Sequence, residues 1–567
     1  MLYEQVRFTV ERPELGPSPV RLDVTMFLGL LAVRPDAKPS EALQERWRRD
    51  GYLKHDQVAQ SAEDLVDRPV PVSSLAEAES LFALDQRVDR PAVITSGAIR
   101  TPILGLDIPL GVALDGVLQE IDLAGAPDDL EGLATFVNVR LKGVSVRVDG
   151  DRIVFSRSST TTAGTLSVLG YPALGFAKSL HVRAKPVDTA TGAALRQFFD
   201  TGGRQAVIVS LGQPPAGLSE AEPRAAQLAR LLDMPADGIV DATSFAADFK
   251  APHIAATERS GLSHLFGAED VGQLVMPDLC DLVSGPRVAK TDLPDELRPT
   301  AEFAACLPPD LTMARGQAVD VGRAQLDDNG RALWSAALGR ITTFLAAYRR
   351  DVGMIAAVPE ASEALPFSPH LTLAGPWVRT PRSDRLPGGV MGADAVVAGH
   401  LARHLGGPDR HGSIAAAPLQ QIRSVDPSAR IPGVCWILKG PRDFRLTGDV
   451  TTDVGGLWAK GPARRIMARL LKEADRMGPL FLFEPISDAL MARVGAVFSA
   501  VLDDIRVAGG LLPSDQDPGY QVICNRTNNT AADRDKGRLR AEVGFRPAPA
   551  ITMIKVSLNI GNQGGGA

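Results

Sequence analysis

Apolar residues recur at helical spacing in two long stretches in the final part of the chain. Positions three and four apart lie on one side of a helix, so each set forms a continuous apolar face. We therefore predict two amphipathic helices that pack on a sheet. The apolar positions are Ala463, Ile466, Met467, Leu470, Leu471 and Ala474 in the first helix, and Leu490, Val494, Val497, Val501 and Ile505 in the second.

Helix and strand patterns alternate through the middle of the chain. Phe198 and Phe199 lie on one side of a predicted helix. That helix is expected to stop at Gly202 and Gly203 and to lead into a strand. Strand, helix and strand then follow again, which predicts a parallel or mixed α/β layer. The segments are Thr189–Val209, Leu274–Leu279, Arg331–Arg350 and Gly353–Val358.

The region from about Ile94 to Pro186 has β character instead. Val139–Val148 and Arg152–Ser156 alternate polar and apolar residues on either side of an Asp-Gly-Asp turn. Gly143 shifts the alternation by one residue, as a β-bulge does. We interpret this region as an inserted β domain.

Each end of the chain carries an alternating apolar pattern that predicts a strand. A terminal strand leaves backbone groups unpaired unless it adds to a sheet, and that sheet can belong to another copy. The residues 11–19 between the first strand and the body include three prolines, so we expect an exposed arm there. The apolar positions are Tyr3, Val6, Phe8 and Val10 at one end, and Ile554, Val556, Leu558 and Ile560 at the other.

Composition and charge describe an ordinary soluble globular protein. The chain has 567 residues, of which 45% are apolar and 23% charged, so two to four domains are expected. The net charge is −6, with a small basic excess after Gly440, which is too weak to predict nucleic-acid binding. The longest apolar runs, such as Met26–Val33, are too short to span a bilayer. The first ten residues do not form a signal peptide, so we expect assembly in the cytoplasm.

Cysteines and histidines give little support for a metal site. Cys280, Cys306, Cys435 and Cys524 stand far apart without a CxxC pair. The alternative is His400, His404 and His411, because two histidines four apart share one helix face. Leu401 stands where a zinc-protease helix needs glutamate, and surface placement explains these histidines equally well. We therefore predict no metal and no cofactor.

Nucleophilic and phosphate-binding motifs are missing from the sequence. It contains no G-x-x-x-x-G-K-[ST] and no G-x-S-x-G, and its Gly pairs are better explained as caps and turns. Glu484 before Pro485 could act as a general acid at a strand end. However, Pro485 stops a strand and Ser487 suits a helix N-cap, so a structural role is favoured. We predict that the chain is not an enzyme.

Four short motifs in the C-terminal region are similar to those of contractile tail sheath proteins, the sheath subunits of myovirus-type phage tails, R-type pyocins and extracellular contractile injection systems. In that family an apolar strand ends in Phe-Glu-Pro, a helix follows, and a strand closes on a turn with two asparagines. This chain has Met491 where the family usually has Trp, and Asn525 where it more often has Asp. The motifs are Phe481–Pro485 (FLFEP), Ala489–Val494 (ALMARV), Ile523–Thr530 (ICNRTNNT) and Gly537–Gly544 (GRLRAEVG).

Three earlier patches carry the same resemblance. Asp23–Pro35 and Pro69–Phe82 resemble the N-terminal region of the family, and the second predicts a strand, a Ser cap and a helix. Pro387–Ala398 resembles the family's entry to a helix. The signature positions that the resemblance assigns as structural are Phe198, Phe199, Gly202, Gly203, Phe483, Glu484, Pro485, Arg493, Asn528 and Asn529.

The resemblance implies a mixed α/β (α+β) multidomain sheath-protein fold with an inner α/β domain built from both ends and an inserted β-rich outer domain. The expected parts are 1–20 (N-terminal arm and strand), 21–93 (N-terminal part of the core), 94–186 (inserted β-rich domain), 187–440 (middle α/β domain), 441–550 (C-terminal inner domain) and 551–567 (C-terminal strand and tail).

The resemblance also implies a function. Sheath subunits polymerise helically around an inner tube, exchange terminal strands with neighbouring copies, and contract to drive the tube through a target envelope. The implied partners are other copies of the chain, the inner tube protein, and baseplate and tail terminator proteins, without nucleic acid or membrane insertion. Two alternatives remain from the sequence: an α/β hydrolase or metalloenzyme, and a static lattice-forming protein.

Overall fold

The structure is a computed structural model that describes most of the chain. The described residues are 20–85, 92–157, 164–183, 188–212, 221–235, 243, 245, 248–284, 289–290, 315–318, 320–321, 325–359, 365–407, 410–428, 430–481 and 483–548.

An eight-stranded sheet forms the centre of the largest part. Its six inner strands run parallel, and one antiparallel strand closes each edge. Inner strands such as TMFLG and AVIVS are buried along their whole length, as parallel strands covered on both faces must be. Numbered in chain order, the strands across the sheet are β22 (Phe444–Leu446), β21 (Cys435–Lys439), β18 (Leu371–Gly375), β17 (Gly353–Ala357), β13 (Gln273–Val275), β1 (Thr25–Gly29), β12 (Ala206–Ser210) and β3 (Val70–Val72).

Helices cover both faces of this sheet. Phe27 of β1 packs toward one layer, whereas its neighbours Met26 and Leu28 pack toward the other, as the alternation along a strand requires. The predicted α/β layer is therefore confirmed as a three-layer arrangement. One layer contains α1 (Glu41–Arg49), α2 (Leu75–Leu81), α4 (Ala190–Asp200) and α8 (Asp394–Leu405); the other contains α5 (Ala221–Leu231), α6 (Leu279–Val283) and α7 (Asp328–Tyr348).

The β-rich part consists of two four-stranded sheets around one apolar core, with α3 (Leu130–Arg140) beside them. One of its strands comes from residues 315–318, far along the chain from the rest. The first sheet has the order β11 (Leu180–Arg183), β10 (Thr165–Val168), β6 (Leu110–Leu114) and β7 (Val117–Ile121), and the second has β15 (Arg315–Ala318), β5 (Ala92–Thr95), β9 (Arg152–Arg157) and β8 (Val144–Asp149).

The predicted strand at Val139–Val148 is wrong in its first part. Helix α3 continues to Arg140, and β8 begins only at Val144. Asp129 caps the helix by accepting a hydrogen bond from the Gly132 N–H at 2.8 Å. Gly143 has φ of 73° and makes the turn between helix and strand, so it is not a bulge.

Short elements connect the larger parts. Three small two-stranded pairs are β2 (Ala32–Val33) with β4 (Phe82–Ala83), β14 (Ala289–Lys290) with β16 (Asp320–Val321), and β19 (Val378–Arg379) with β20 (Ser424–Val425). The 3₁₀ helices are Ala62–Leu65, Pro172–Leu174, Ala256–Glu258, Gly261–Gly267, Ser383–Arg385, Pro387–Gly389 and Ile414–Ala416.

The C-terminal unit packs two long helices against a hairpin. Its elements are α9 (Gly461–Phe481), α10 (Asp488–Val507), β23 (Tyr520–Ile523), α11 (Ala531–Asp535) and β24 (Glu542–Phe545). Both amphipathic helices predicted from the apolar spacing are present.

The strand expected at Phe481–Pro485 is wrong. Helix α9 runs through Phe481, and the chain then turns at Phe483 with φ of 66°. The apolar face of α9 is held in the core by Ile466 and Leu470, so the helix continues into the short apolar run that follows. A run of four apolar residues does not by itself distinguish the end of a helix from a strand.

No helix among the described residues is both long and apolar enough to cross a membrane. Cys280, Cys435 and Cys524 are buried free thiols, and Cys306 lies outside the described residues.

Candidate assembly surface

The β23–β24 hairpin exposes backbone edges that its own fold does not pair. Tyr520 pairs with Phe545 and Val522 with Val543, and one face of the hairpin packs on α9 and α10. Within the described part of the chain, no other strand pairs with either outer edge. A hairpin that has one face packed on helices and both outer edges unpaired is a template for strand addition.

Two asparagine side chains fix the shape of this hairpin. Asn529 is fully buried; its side-chain N–H donates to the Arg540 carbonyl at 2.9 Å, and its carbonyl oxygen accepts from the Arg540 N–H at 2.6 Å. Asn528 donates to the Ile523 carbonyl at 2.8 Å. The end of β23 is thereby tied to the residues just before β24, although a long connection separates the two strands.

The Phe-Glu-Pro positions form the loop between α9 and α10. The guanidinium of Arg493 donates to the Glu484 carboxylate and also lies over the Phe481 ring. Ser487 accepts from the Leu490 N–H at 3.2 Å and caps α10. Phe483 itself is fully exposed. Glu484 is thus part of an ion pair that links the loop to α10.

Asp488 connects this loop to the hairpin. It accepts from the Arg526 guanidinium at 2.8 Å, so the start of α10 and the asparagine turn are held side by side. The C-terminal signature positions therefore lie in one unit. Phe198, Phe199, Gly202 and Gly203 do not belong to it, because they form the junction between α4 and β12 in the main sheet.

At that junction Phe198 is fully buried, with its ring 5.2 Å from the Phe27 ring centroid in an edge-on arrangement. A Cβ on Gly203 would lie 2.2 Å from the Phe198 ring. Gly202 has φ of 110°, which a side chain rarely tolerates. Both glycines are therefore required by the turn.

The three histidines weighed as metal ligands have other partners. His400 Nε2 lies 2.7 Å from the Ile414 carbonyl, and His404 Nε2 lies 3.1 Å from that of Gly412. Burial and the nearby Arg469 lower the pKa of His411 to about 4. In the part of the chain that the structure describes, no group of three or more His, Cys, Asp or Glu side chains is arranged to hold a metal.

Buried cations on α9, which the sequence analysis did not single out, attach the C-terminal unit to the main sheet. Arg464 donates to the carbonyls of Pro369 and Val352, each at 3.2 Å, where the strands of the sheet begin. Arg465 forms two hydrogen bonds with the buried Asp449, at 3.0 and 2.7 Å. The signal available in the sequence was the pair of adjacent arginines directly before the apolar position Ile466.

A further cation strengthens this attachment. Lys472, two turns further along α9, lies 3.3 Å from the Asp351 carboxylate. Asp351 also binds Arg349 at 2.8 Å. These buried, paired charges connect α9, and with it the hairpin that packs on α9, to the main sheet.

The predicted terminal strands cannot be placed on this surface by the structure. Tyr3, Val6, Phe8 and Val10, together with Ile554, Val556, Leu558 and Ile560, lie outside the described residues. Strand exchange through these residues stays a prediction.

Comparison with known proteins gives matches among solved structures alone. No protein-family model and no curated protein matches the chain. A chain in the baseplate of the anti-feeding prophage is 16% identical, with a TM-score of 0.42, over 66% of this chain and 81% of that one. A chain of the contracted helical sheath of the same prophage is 14% identical, with a TM-score of 0.41, over 66% and 84%.

A sheath tail protein from Desulfitobacterium hafniense is 12% identical, with a TM-score of 0.34, over 92% of this chain and 93% of that one. At these values the functional proposal rests on the residues of this chain.

Proposed function

We propose that the chain is a structural subunit of a contractile tail sheath and has no enzymatic role. It polymerises helically with copies of itself around an inner tube. Contraction then drives the tube through a target envelope without nucleotide. The particle is assembled in the cytoplasm, and its other components are the inner tube protein, the baseplate and the tail terminator.

The observation that carries this proposal is the hairpin with two open edges in a chain whose two ends both carry strand patterns. Strands from neighbouring copies can add to β23 and β24 through backbone hydrogen bonds. Each buried apolar side chain of an added strand contributes about 1.5–3 kcal/mol before ordering costs. Such links hold while the bodies they connect change orientation.

The attachment of α9 supports a subunit in which the main sheet and the hairpin move together. Arg464, Arg465 and Lys472 tie the C-terminal unit to the main sheet. A rotation of the main sheet is therefore passed to the hairpin, and the change of angle is taken up by the connecting arms. Two packings of one rigid subunit give the bistability that contraction requires.

Electron microscopy of the purified full-length protein tests this function. We expect helical tubes. Under different solution conditions, we expect these tubes to occur in two forms that differ in diameter and in the axial rise per subunit. Small discrete oligomers without tubes would contradict the proposal. Tubes of a single packing under all conditions would instead indicate a static lattice protein.

A further inference from the structure

Phe483, in the loop between α9 and α10, has a backbone conformation that its side chain disfavours. Its φ of 66° lies in the left-handed region, where a bulky residue adds steric strain. Its ring is fully exposed, so burial within the chain does not offset this strain. An exposed aromatic ring on a strained backbone indicates a contact with another molecule.

The loop keeps this ring in a defined position. The Arg493 guanidinium pairs with the Glu484 carboxylate across the loop, and Ser487 caps the helix that follows. Leu480, on the last turn of α9, is also exposed. Leu480 and Phe483 together make up the apolar tip of the loop.

A second exposed apolar surface lies at the other end of α10. Val507, the last residue of the helix, is 78% exposed, and Leu512, just beyond the turn, is 46% exposed. Between them the chain turns through Gly509, whose N–H donates to the Arg506 carbonyl at 2.9 Å. A Cβ at Gly509 would meet nothing within 4 Å. Val507, Gly509 and Leu512 therefore form an apolar notch with room for an inserted ring.

The tip and the notch cannot meet within one copy. Helix α10 has 20 residues, which corresponds to about 30 Å between its two ends. The tip lies before the first residue of α10, and the notch begins at its last residue. Each copy therefore presents two different apolar surfaces about one helix length apart.

The two ends of the C-terminal unit also differ in charge. Residues 524–541 include five basic and two acidic residues, and the Asp488–Arg526 ion pair holds them beside the start of α10. Residues 503–519, around the notch, include one basic and four acidic residues. Among the described residues, ion pairs within the chain still leave the first segment net positive and the second net negative, with Asp515 unpaired. Opposite charge favours the approach of one end to the other end of a second copy.

We propose that the tip of one copy inserts into the notch of the next copy, with the Phe483 ring between Val507 and Leu512. This inference rests on the proposed sheath function, and it names a side-chain contact that is separate from strand addition and adds to it. Because two different surfaces meet, the contact is head-to-tail. A head-to-tail contact that does not close into a ring extends into a helix, as a sheath requires.

Removal of the ring is the first test. We expect Phe483→Ala to raise the protein concentration needed for tube formation by about tenfold or more, because an apolar ring is no longer buried between copies. Phe483→Gly should weaken assembly in the same way. Glycine suits the φ at this position, so the melting temperature of the unassembled protein should not fall, and poorer folding cannot explain the loss.

The matched control is Phe367→Ala. Phe367 is 65% exposed and lies before β18 of the main sheet, so its loss should leave tube formation unchanged. Tubes that form equally well in Phe483→Ala and in this control would overturn the contact and leave the sheath function standing. If the unmodified protein forms no tubes, the sheath function itself fails, and the contact fails with it.

A double substitution tests the partner surface. Val507→Asp places a carboxylate in the notch and should weaken tube formation to a similar degree. If both positions belong to one contact, adding Phe483→Ala to Val507→Asp should cause little further loss. Losses that add fully would show that the two positions act in different contacts.

Photo-crosslinking identifies the occupant of the notch directly. A benzophenone amino acid replaces Phe483 in the full-length protein, and tubes are assembled from a mixture of ¹⁵N-labelled and unlabelled copies. We expect crosslinks from position 483 to residues 507–512 that join labelled to unlabelled chains. Crosslinks from position 483 to any other segment would refute the assignment.

Discussion

At the residue scale, Asp394 at the start of α8 is a buried carboxylic acid in a helix layer of the main sheet. Burial raises its pKa to about 6, and the nearby Asp278 acts in the same direction. Its side chain accepts from the Ala395 N–H at 2.9 Å. An asparagine can keep that hydrogen bond without carrying a charge, so the charge can be tested separately from the shape.

We predict that Asp394→Asn stabilises the protein at neutral pH. The folded chain holds the Asp394 proton more strongly than the unfolded chain, so its free energy of unfolding falls as pH rises from about 4 to about 6 and then levels off. The variant lacks this loss, so above pH 6 its free energy of unfolding should exceed that of the natural sequence by up to about 3 kcal/mol. Urea denaturation of both proteins at pH 4 and pH 7.5 measures this difference. An equal difference at the two pH values would contradict the account.

Two glycines give opposite predictions for the same substitution. Gly203→Ala places a methyl group against the buried Phe198 ring and should destabilise the protein by about 1–3 kcal/mol. Gly339→Ala, within α7, meets nothing within 4 Å and should stabilise it by about 0.5–1 kcal/mol. Thermal unfolding checks both. A neutral Gly203→Ala would show that the α4–β12 junction does not need a glycine there.

At the scale of elements, strongly periodic segments were predictable from the sequence and ambiguous ones were not. The apolar faces of α9 and α10 were identified correctly because several turns of each helix repeat the same spacing. The run at 480–483 was too short to separate helix from strand. The apolar pattern at Val139–Val148 crosses a helix end, a glycine turn and a strand start.

The sequence did not predict which strands pair when they lie far apart along the chain. Strand β15 joins β5 of the β-rich part from more than two hundred residues away, and no local pattern indicates its partner. The signature motifs located the elements of the C-terminal unit, with Ser487 as the cap of α10. They did not indicate that α9 is attached by buried charges, because pairing partners such as Asp449 are defined only by the folded chain.

The Arg465–Asp449 pair should be essential for attaching α9. Arg465→Met leaves the buried Asp449 carboxylate without its main partner and should destabilise the protein by about 3–5 kcal/mol. Burial favours a higher pKa for Asp449, but Arg465 holds that pKa below its ordinary value. Adding Asp449→Asn to Arg465→Met should recover part of the loss, because the uncompensated charge disappears.

Chemical denaturation measures both proteins, with Arg445→Met as the control. Arg445 pairs with Asp443 on the surface, where solvent screens the charges, so no measurable change is expected. If Arg465→Met behaved like this control, the buried pair would not be what holds α9.

At the scale of the whole molecule, the contacts within one copy and the proposed connections between copies involve different parts of the chain. The main sheet, α9 and the hairpin are joined by buried contacts. In the proposed sheath, the connections between copies are made by the terminal segments, which add to the hairpin edges. A lattice built this way can change the orientation of its subunits without losing its links.

Deletion of both terminal segments tests this central claim most directly. Residues 1–19 and 549–567 are removed, and the product is compared with the full-length protein by electron microscopy and by its melting temperature. The account predicts tubes from the full-length protein, no tubes from the shortened one, and similar melting temperatures for both. Tubes of the same form from the shortened protein would contradict it.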